Sequence, residues 1–217
     1  MENTYRFFLF VFMPMLLFFV SNYSKIYAQN DSNILIDIDG NTYKTEALGH
    51  QTWMVENLKT TKLNDGTEIL NVTDVTEWVR TTKPAYSWCE NNISNKSIYG
   101  GYYNWHVVNT GKLCPEGWHV PTDNDWTLLF EFLGGNDFAF QALKERELFA
   151  IQGGYRYGYY WGLGEFYEKD INGYWWTATV VTGTHVWSRT ISYKNSKIYR
   201  SYFTKNNGFC VRCIKNK

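Results

Sequence analysis

Apolar and polar residues change places every one or two positions along most of this chain, in short runs punctuated by Gly, Asn and Asp. That is the texture of strands and turns rather than of long helices. Ile34 to Ile38 alternates with Asp37 and Asp39, and Asp39, Gly40 and Asn41 supply turn chemistry before Thr42 to Thr45, which predicts a hairpin. Gln51 to Leu58, with Trp53, Val55 and Leu58, forms a second apolar stretch that runs into the turn Asn64, Asp65, Gly66. Two helices interrupt the pattern. Thr122 is an N-cap for Asp123 to Leu133, Asp125 stands at the capping-box position, and Trp126, Leu129, Phe130 and Leu133 recur at spacings of three and four. Gly134 and Gly135 stop that helix, and a shorter one is expected from Phe138 to Glu147, with Ala142 and Leu143 inward and Lys144 to Glu147 solvated. Beyond Gly153 the chain is rich in Gly and aromatics, and strands are expected over Tyr174 to Val181, His185 to Tyr193, Lys197 to Tyr202 and Gly208 to Ile214.

The first residues depart from this texture. Phe7 to Val20 is an almost unbroken apolar run, preceded by Arg6 and followed by Ser21, Asn22, Tyr23 and Ser24, which is the pattern of an export leader. The run is shorter than the roughly 20 residues that a spanning helix needs, and Pro14 sits in its middle. Residues 1–28 are therefore expected to be removed after Ala28, leaving one domain over 29–217 with no membrane span and a location outside the cell, at its surface or in the periplasm. No cysteine near Ala28 offers a lipid attachment atom.

Charge changes the picture by exclusion. The chain has 21 basic and 21 acidic side chains, and the leader takes Arg6, Lys25 and Glu2 with it. The mature part is left near neutrality, whereas nucleic acid and anionic membrane surfaces call for a basic excess, so neither is an expected partner.

Cys89, Cys114, Cys210 and Cys213 are an even set in an exported chain, which reads as two disulfides with three connectivities open. If Val211 and Arg212 lie in a strand, Cys210 and Cys213 face opposite sides and each reaches back to a different partner. The pairing favoured is Cys114 with Cys213 and Cys89 with Cys210, against free thiols or a metal site. Each loop would hold about 100 to 120 residues, for which chain entropy allows about 4 to 5 kcal/mol.

The segments TWMVENLKTTKLNDG, PAYSWCENN, YGGYYNW, TGKLCPEGWHVPTDNDWTLLFEFLGG, LKE, GGYR, GYWWTAT and GFCVRC resemble, in that order, the Fibrobacter succinogenes major paralogous domain, from Asp37 to the C-terminus. The resemblance implies an exported bacterial protein with an α+β fold of the C-type-lectin-like group, which includes formylglycine-generating-enzyme-like domains. In that group a phrase similar to GWHVPTDNDW begins a helix, one similar to GFCVRC forms a late core strand, and the termini meet in one sheet. Two departures stand out. Only Arg146 to Gln152 fills a place where family members carry a Gly- and Asn-rich loop, and Cys89 and Cys210 replace an aromatic and a small residue, which favours a bond between them.

The activities known in that fold do not carry over. Formylglycine generation needs a close copper-binding cysteine pair before the last strand, and Trp175 to Phe203 contains no cysteine. Calcium lectins carry Glu-Pro-Asn or Gln-Pro-Asp followed by Trp-Asn-Asp, and neither triplet occurs. Asp37, Asp39 and Asn41 match the first three oxygen positions of a calcium loop, but Thr42 and Leu48 stand where Gly and Glu are needed, so a hairpin turn is the expected role. Calcium stays a candidate ion and no other cofactor is implied. His119 is expected to be a hydrogen-bonded structural residue. Asp65 with Glu68, or Asp123 with Asp125, are the candidate carboxylate pairs for glycoside hydrolysis, set against capping or solvated roles.

What remains is aromatic. Ten tryptophans and many tyrosines cluster at Tyr99 to Trp105, Tyr155 to Trp161 and Tyr174 to Trp176. Trp53, Trp105, Trp118, Trp126 and one of Trp175 and Trp176 are expected in the core, with the other of that adjacent pair exposed on a sheet covered on one side. Tyr157, Tyr159, Tyr160 and Trp161, in a Gly-rich loop, with Trp175 and Trp176, are the candidate ligand-binding residues, since flat rings stack on sugars and anchor protein interfaces. The expected function is a non-enzymatic module that recognises glycan or protein outside the cell or at its surface. A secreted hydrolase of polysaccharide or protein and a structural surface-assembly component are the alternatives.

Overall fold

Thr122 does what its place in the sequence demands. In the computed structural model, which describes residues 33–149, 153–159 and 164–217, its hydroxyl accepts from the Asp125 amide while the Asp125 carboxylate accepts from the Thr122 amide. This reciprocal cap starts the helix Asp123–Phe132 and turns Trp126, Leu129 and Phe130 inward. The next helix runs Asn136–Glu145, beginning two residues earlier than the sequence suggested because Gly135, at φ +88°, admits the chain directly into it. The leader, the junction at Ala28, Tyr160 and Trp161 lie outside the described residues. Leu35–Lys217 forms one compact unit. Every described strand and helix belongs to this unit, the opening strand starting one residue ahead of it at Ile34.

Thirteen strands are named in chain order. These are β1 (Ile34–Ile36), β2 (Thr42–Leu48), β3 (Gln51–Met54), β4 (Leu70–Asn71), β5 (Ala85–Trp88), β6 (Gly101–Tyr103), β7 (Trp118–His119), β8 (Tyr155–Arg156), β9 (Phe166–Tyr167), β10 (Asn172–Val180), β11 (His185–Ser192), β12 (Lys197–Thr204) and β13 (Ile214–Lys215). The helices are α1 (Val75–Arg80), α2 (Lys96–Tyr99), α3 (Trp105–Val108), α4 (Asp123–Phe132) and α5 (Asn136–Glu145). One sheet runs β1-β2-β3-β13-β7, so strands from the two ends of the unit lie side by side. The others run β10-β11-β12, β4-β5-β6 and β8-β9, making a mixed α+β architecture whose strand pairs are antiparallel except for β4 with β5.

The Asp37–Asn41 turn is a hairpin corner whose acids are already engaged. Asp37 accepts from the amides of Asp39 and Asn41 at 3.0 and 2.9 Å, and Asp39 accepts from the Thr61 hydroxyl at 2.8 Å. Burial works against ionisation of Asp39, yet hydrogen bonds from Thr61 and Thr60 and the charge of Lys62 hold its carboxyl below the usual range.

The segment from Phe209 to Ile214 is the spine of the molecule. Phe209, Val211 and Cys213 enter one apolar cluster, while Cys210 and Ile214 enter the other. Arg212 joins the second side, with its guanidinium 4.0 Å from the Phe149 ring. Only Ile214 and Lys215 form a regular strand here, in place of the longer one expected. The rest is held by single bridges, Tyr103 with Phe209 and Trp175 with Cys210, and by amides of Met54 and Leu58 donating to Cys213 and Val211.

Strand β10 is packed on both faces at its centre, with Trp176 inside the first apolar cluster and Trp175 inside the second. Trp175 and Trp176 are each 0% exposed, which corrects the expectation that one would face solvent. Trp176 stacks 4.3 Å from Phe209 and donates to the Tyr103 carbonyl, whereas Trp175 meets Phe149 at 5.2 Å and donates to Asn57. Trp53, Trp105 and Trp126 are buried as expected, Trp118 is half-buried, and Trp78 and Trp88 join the interior.

Cys114 and Cys213 are disulfide-bonded, with Cα atoms 5.9 Å apart across 99 residues. Cys89 and Cys210 are buried free thiols, which corrects the second pairing. The bridge to Trp175 fixes the backbone at Cys210, and its thiol donates to the Tyr99 carbonyl at 3.4 Å. Burial pushes both thiols up, so the thiolate needed for disulfide chemistry is suppressed.

Candidate functional site

Gly154 and Gly158 let a short aromatic ribbon lie close against the body of the fold. A Cβ on Gly154 would stand 2.0 Å from the Tyr167 carbonyl oxygen, and one on Gly158 2.0 Å from the Asn206 backbone. Strands β8 and β9 therefore pair tightly, with Tyr155 opposite Tyr167 and Arg156 opposite Phe166, and the Tyr157 amide continues the ladder to the Glu165 carbonyl. The Gly158 amide donates to the Asn207 side chain at 3.0 Å, which ties the tip down.

Strand alternation sorts the ribbon into two faces. On one, Tyr155, Tyr157 and Tyr167 lie ring to ring at 5.8 to 6.2 Å. Tyr155 is the inner member, packed on Tyr174 at 4.8 Å and Phe209 at 5.8 Å, and burial followed by the nearby Glu168 carboxylate pushes its phenol up to about 12. Tyr167 is 42% exposed and stands on the half-buried Tyr155 and Tyr157, and Tyr159 is 50% exposed.

On the other face Arg156 is fully buried between Trp78 and Phe166. Its guanidinium donates to the carbonyls of Gly164, Val72, Thr73 and Asp74, joining the ribbon to the loop that precedes α1. Above it lies a shallow cavity of about 300 Å³, lined by Val75, Glu90, Asn91, Gly164, Glu165 and Phe166. Glu90 and Asn91 both stand at φ +55°, a left-handed backbone uncommon for Glu and readily adopted by Asn, and Lys169 pairs with Glu90 at 2.7 Å.

Of the candidate ligand residues, the ribbon brings Tyr157 and Tyr159 to the surface, Tyr160 and Trp161 lie outside the described residues, and Trp175 and Trp176 have no surface to offer a ligand. Tyr167 is a surface ring that the sequence pattern did not single out. Its signal was present as Tyr155-x-Tyr157 followed across glycines by Phe166-Tyr167, two aromatic runs able to form a hairpin.

The candidate carboxylate pairs are occupied elsewhere. Asp65 pairs with Lys112 at 2.8 Å, Asp123 takes Arg189 and Arg200 at 2.7 and 2.9 Å, and Asp125 caps α4. His119 bridges Asn216 and Asp125, a structural role. Among the described residues no group of three or more His, Cys, Asp or Glu is placed to hold a metal ion, and no helix is long and apolar enough to cross a membrane.

A disulfide-tied α+β unit with an aromatic ribbon on its surface is the class defined by these features. The model of the Fibrobacter succinogenes major domain matches residues 47–215, and the chain belongs to that family. Comparison with curated proteins and with solved structures returns no match.

Proposed function

We propose that this chain is an exported, non-enzymatic recognition module that binds glycan or protein outside the cell or at its surface, on a C-type-lectin-like fold, with the tyrosine ribbon as its contact surface. The observation that carries the reading is the pairing of exposed rings at Tyr159 and Tyr167 with a base locked by Tyr155, Arg156 and Asn207. Rings held in place lose little freedom on binding, and Tyr joins an apolar face to a hydroxyl that can donate or accept. The hydrolase alternative loses support because its candidate acids already serve ion pairs and caps.

The test is a glycan and polysaccharide array, with and without a calcium chelator, probed with the wild type and with Tyr159→Ala and Tyr167→Ala. Binding that falls at least about tenfold in both variants, equivalent to about 1.4 kcal/mol, supports the ribbon. Binding retained by both variants removes it. A blank array moves the reading to a protein ligand, to be sought with the same two variants as controls.

A further inference from the structure

The rings of Tyr155, Tyr157 and Tyr167 have their centres at the corners of a near-equilateral triangle, with sides of 5.8, 5.9 and 6.2 Å. Their planes are inclined to one another by 31°, 49° and 71°. Three rings so inclined do not make the single flat wall on which a pyranose stacks. A positive charge over the middle of the triangle, in contact about 3.5 Å above it, stands about 5 Å from every ring centre, inside the roughly 6 Å reach of a cation–π contact. Tyr155 is the innermost ring, backed by Tyr174 and Phe209, and Tyr167 is the most open of the three.

The charge around the triangle is of one sign. Both basic side chains of this stretch are engaged within the protein, Arg156 by four backbone carbonyls and Lys169 by Glu90. The acids are Glu165, across the ladder from Tyr157, Glu168, next after Tyr167, and Asp170 in the turn that follows. Among the described residues none of these three is in an ion pair. Glu165 and Asp170 are exposed, and Asp170 accepts from the Tyr99 hydroxyl at 3.1 Å. Glu168 lies at the base of the rings. Its carboxylate accepts from the Tyr174 hydroxyl at 2.5 Å and from the Asn172 amide at 2.6 Å, and its charge reaches the Tyr155 phenol.

We infer that the ribbon reads a cation, and that its occupant is a Lys or Arg side chain on an exposed segment of a protein partner. This inference rests on the ribbon being the contact surface. A ring face carries the negative part of the aromatic quadrupole, and neighbouring carboxylates deepen that potential, so a positive tip is favoured over a neutral group. Shape adds to charge. A linear side chain can meet three inclined rings end-on, whereas a sugar needs a flat face as wide as itself.

The test is fluorescence anisotropy of labelled Gly-Ser peptides carrying spaced lysines or arginines, titrated with the purified protein beside the lysine peptide in acetylated form. A cationic peptide is expected to bind, and acetylation to weaken it at least about fivefold, because the ring faces lose the charge that they attract. Tyr157→Leu is expected to weaken binding by a similar factor with an unchanged circular dichroism spectrum. Tyr157→Phe, which keeps the ring face, should lose much less. Cationic peptides that do not bind, or a lysine peptide that binds as tightly once acetylated or to Tyr157→Leu, overturn the inference. So does tighter binding of a glucosamine oligomer, which carries the same ammonium on a sugar ring. Glycan binding that falls in Tyr159→Ala and Tyr167→Ala, with the peptides unbound, overturns this inference alone and leaves the ribbon as the contact surface. Peptide binding that none of the ribbon variants alters overturns both.

Discussion

Arg156 lies over Trp78, its guanidinium carbon 4.4 Å from the ring centre, and spends its hydrogen bonds on four backbone carbonyls with no carboxylate among them. Burial brings its pKa down to about 10, so it remains a cation at neutral pH. A planar fork suits this cluster of acceptors in a way that a single ammonium does not. Arg156→Lys is expected to cost about 2 to 4 kcal/mol, because carbonyls are left unsatisfied, and to loosen the ribbon. Urea unfolding monitored by tryptophan fluorescence measures the loss, and a variant as stable as wild type would show that the carbonyls find other donors.

Trp175 and Trp176 should behave as core residues. Each replaced by Ala is expected to cost about 3 to 5 kcal/mol, through lost burial and a residual cavity. Ligand affinity measured on whatever fraction remains folded should be unaltered. A variant with native stability and lost binding would return that residue to the contact surface.

Thiol counting separates the two cysteine pairs. A thiol reagent is expected to find none in the native protein and two after denaturation without reductant, Cys89 and Cys210. Four would deny the Cys114–Cys213 bond, and none would restore the second pairing. Reduction of that bond, which closes a span of 99 residues, is expected to remove up to about 4 to 5 kcal/mol by the chain-entropy model.

Alkaline pH should unfold this protein rather than simply titrate it. Burial, followed by the Glu168 carboxylate, raises Tyr155 to about 12, and burial with a hydrogen bond to Glu168 pushes Tyr174 higher still. An unfolded phenol ionises near 10. A folded value above the unfolded one means that the stabilising contribution is whole below about pH 10 and is lost as pH rises through about 12. Stability measured in urea at stepwise pH should fall over that window, and Tyr174→Phe should flatten the slope. An unchanged slope would assign the loss to other groups.

The sequence disclosed the parts of this fold that are decided locally. The Thr122–Asp125 cap and the apolar spacing of Trp126, Leu129 and Phe130 sit within one helix, and the three long strands of the β10-β11-β12 sheet announce themselves by composition. What could not be read depended on partners far along the chain. Whether Trp175 and Trp176 are both buried is settled by the apolar clusters that meet β10 from its two faces, and the fate of Cys89 by a register that sends Cys210 towards Tyr99. The small β4-β5-β6 sheet and helix α1 also escaped notice, since their strands are only two to four residues long. At the site the aromatic loop was legible at Tyr157 and Tyr159. Tyr167 was not, because only strand pairing carries it back beside them.

The alternation of Phe209 to Ile214 between the two clusters has a consequence for biosynthesis. These residues are the last members of both clusters in chain order, so neither interior is complete until they have been made. A chain cut short before Gly208 would lose the disulfide partner of Cys114, the edge partner of β10 and the strand that joins β3 to β7 in one stroke. Folding of this unit is therefore completed only when its last segment is available, and products cut short of it should present themselves to proteases as open chains.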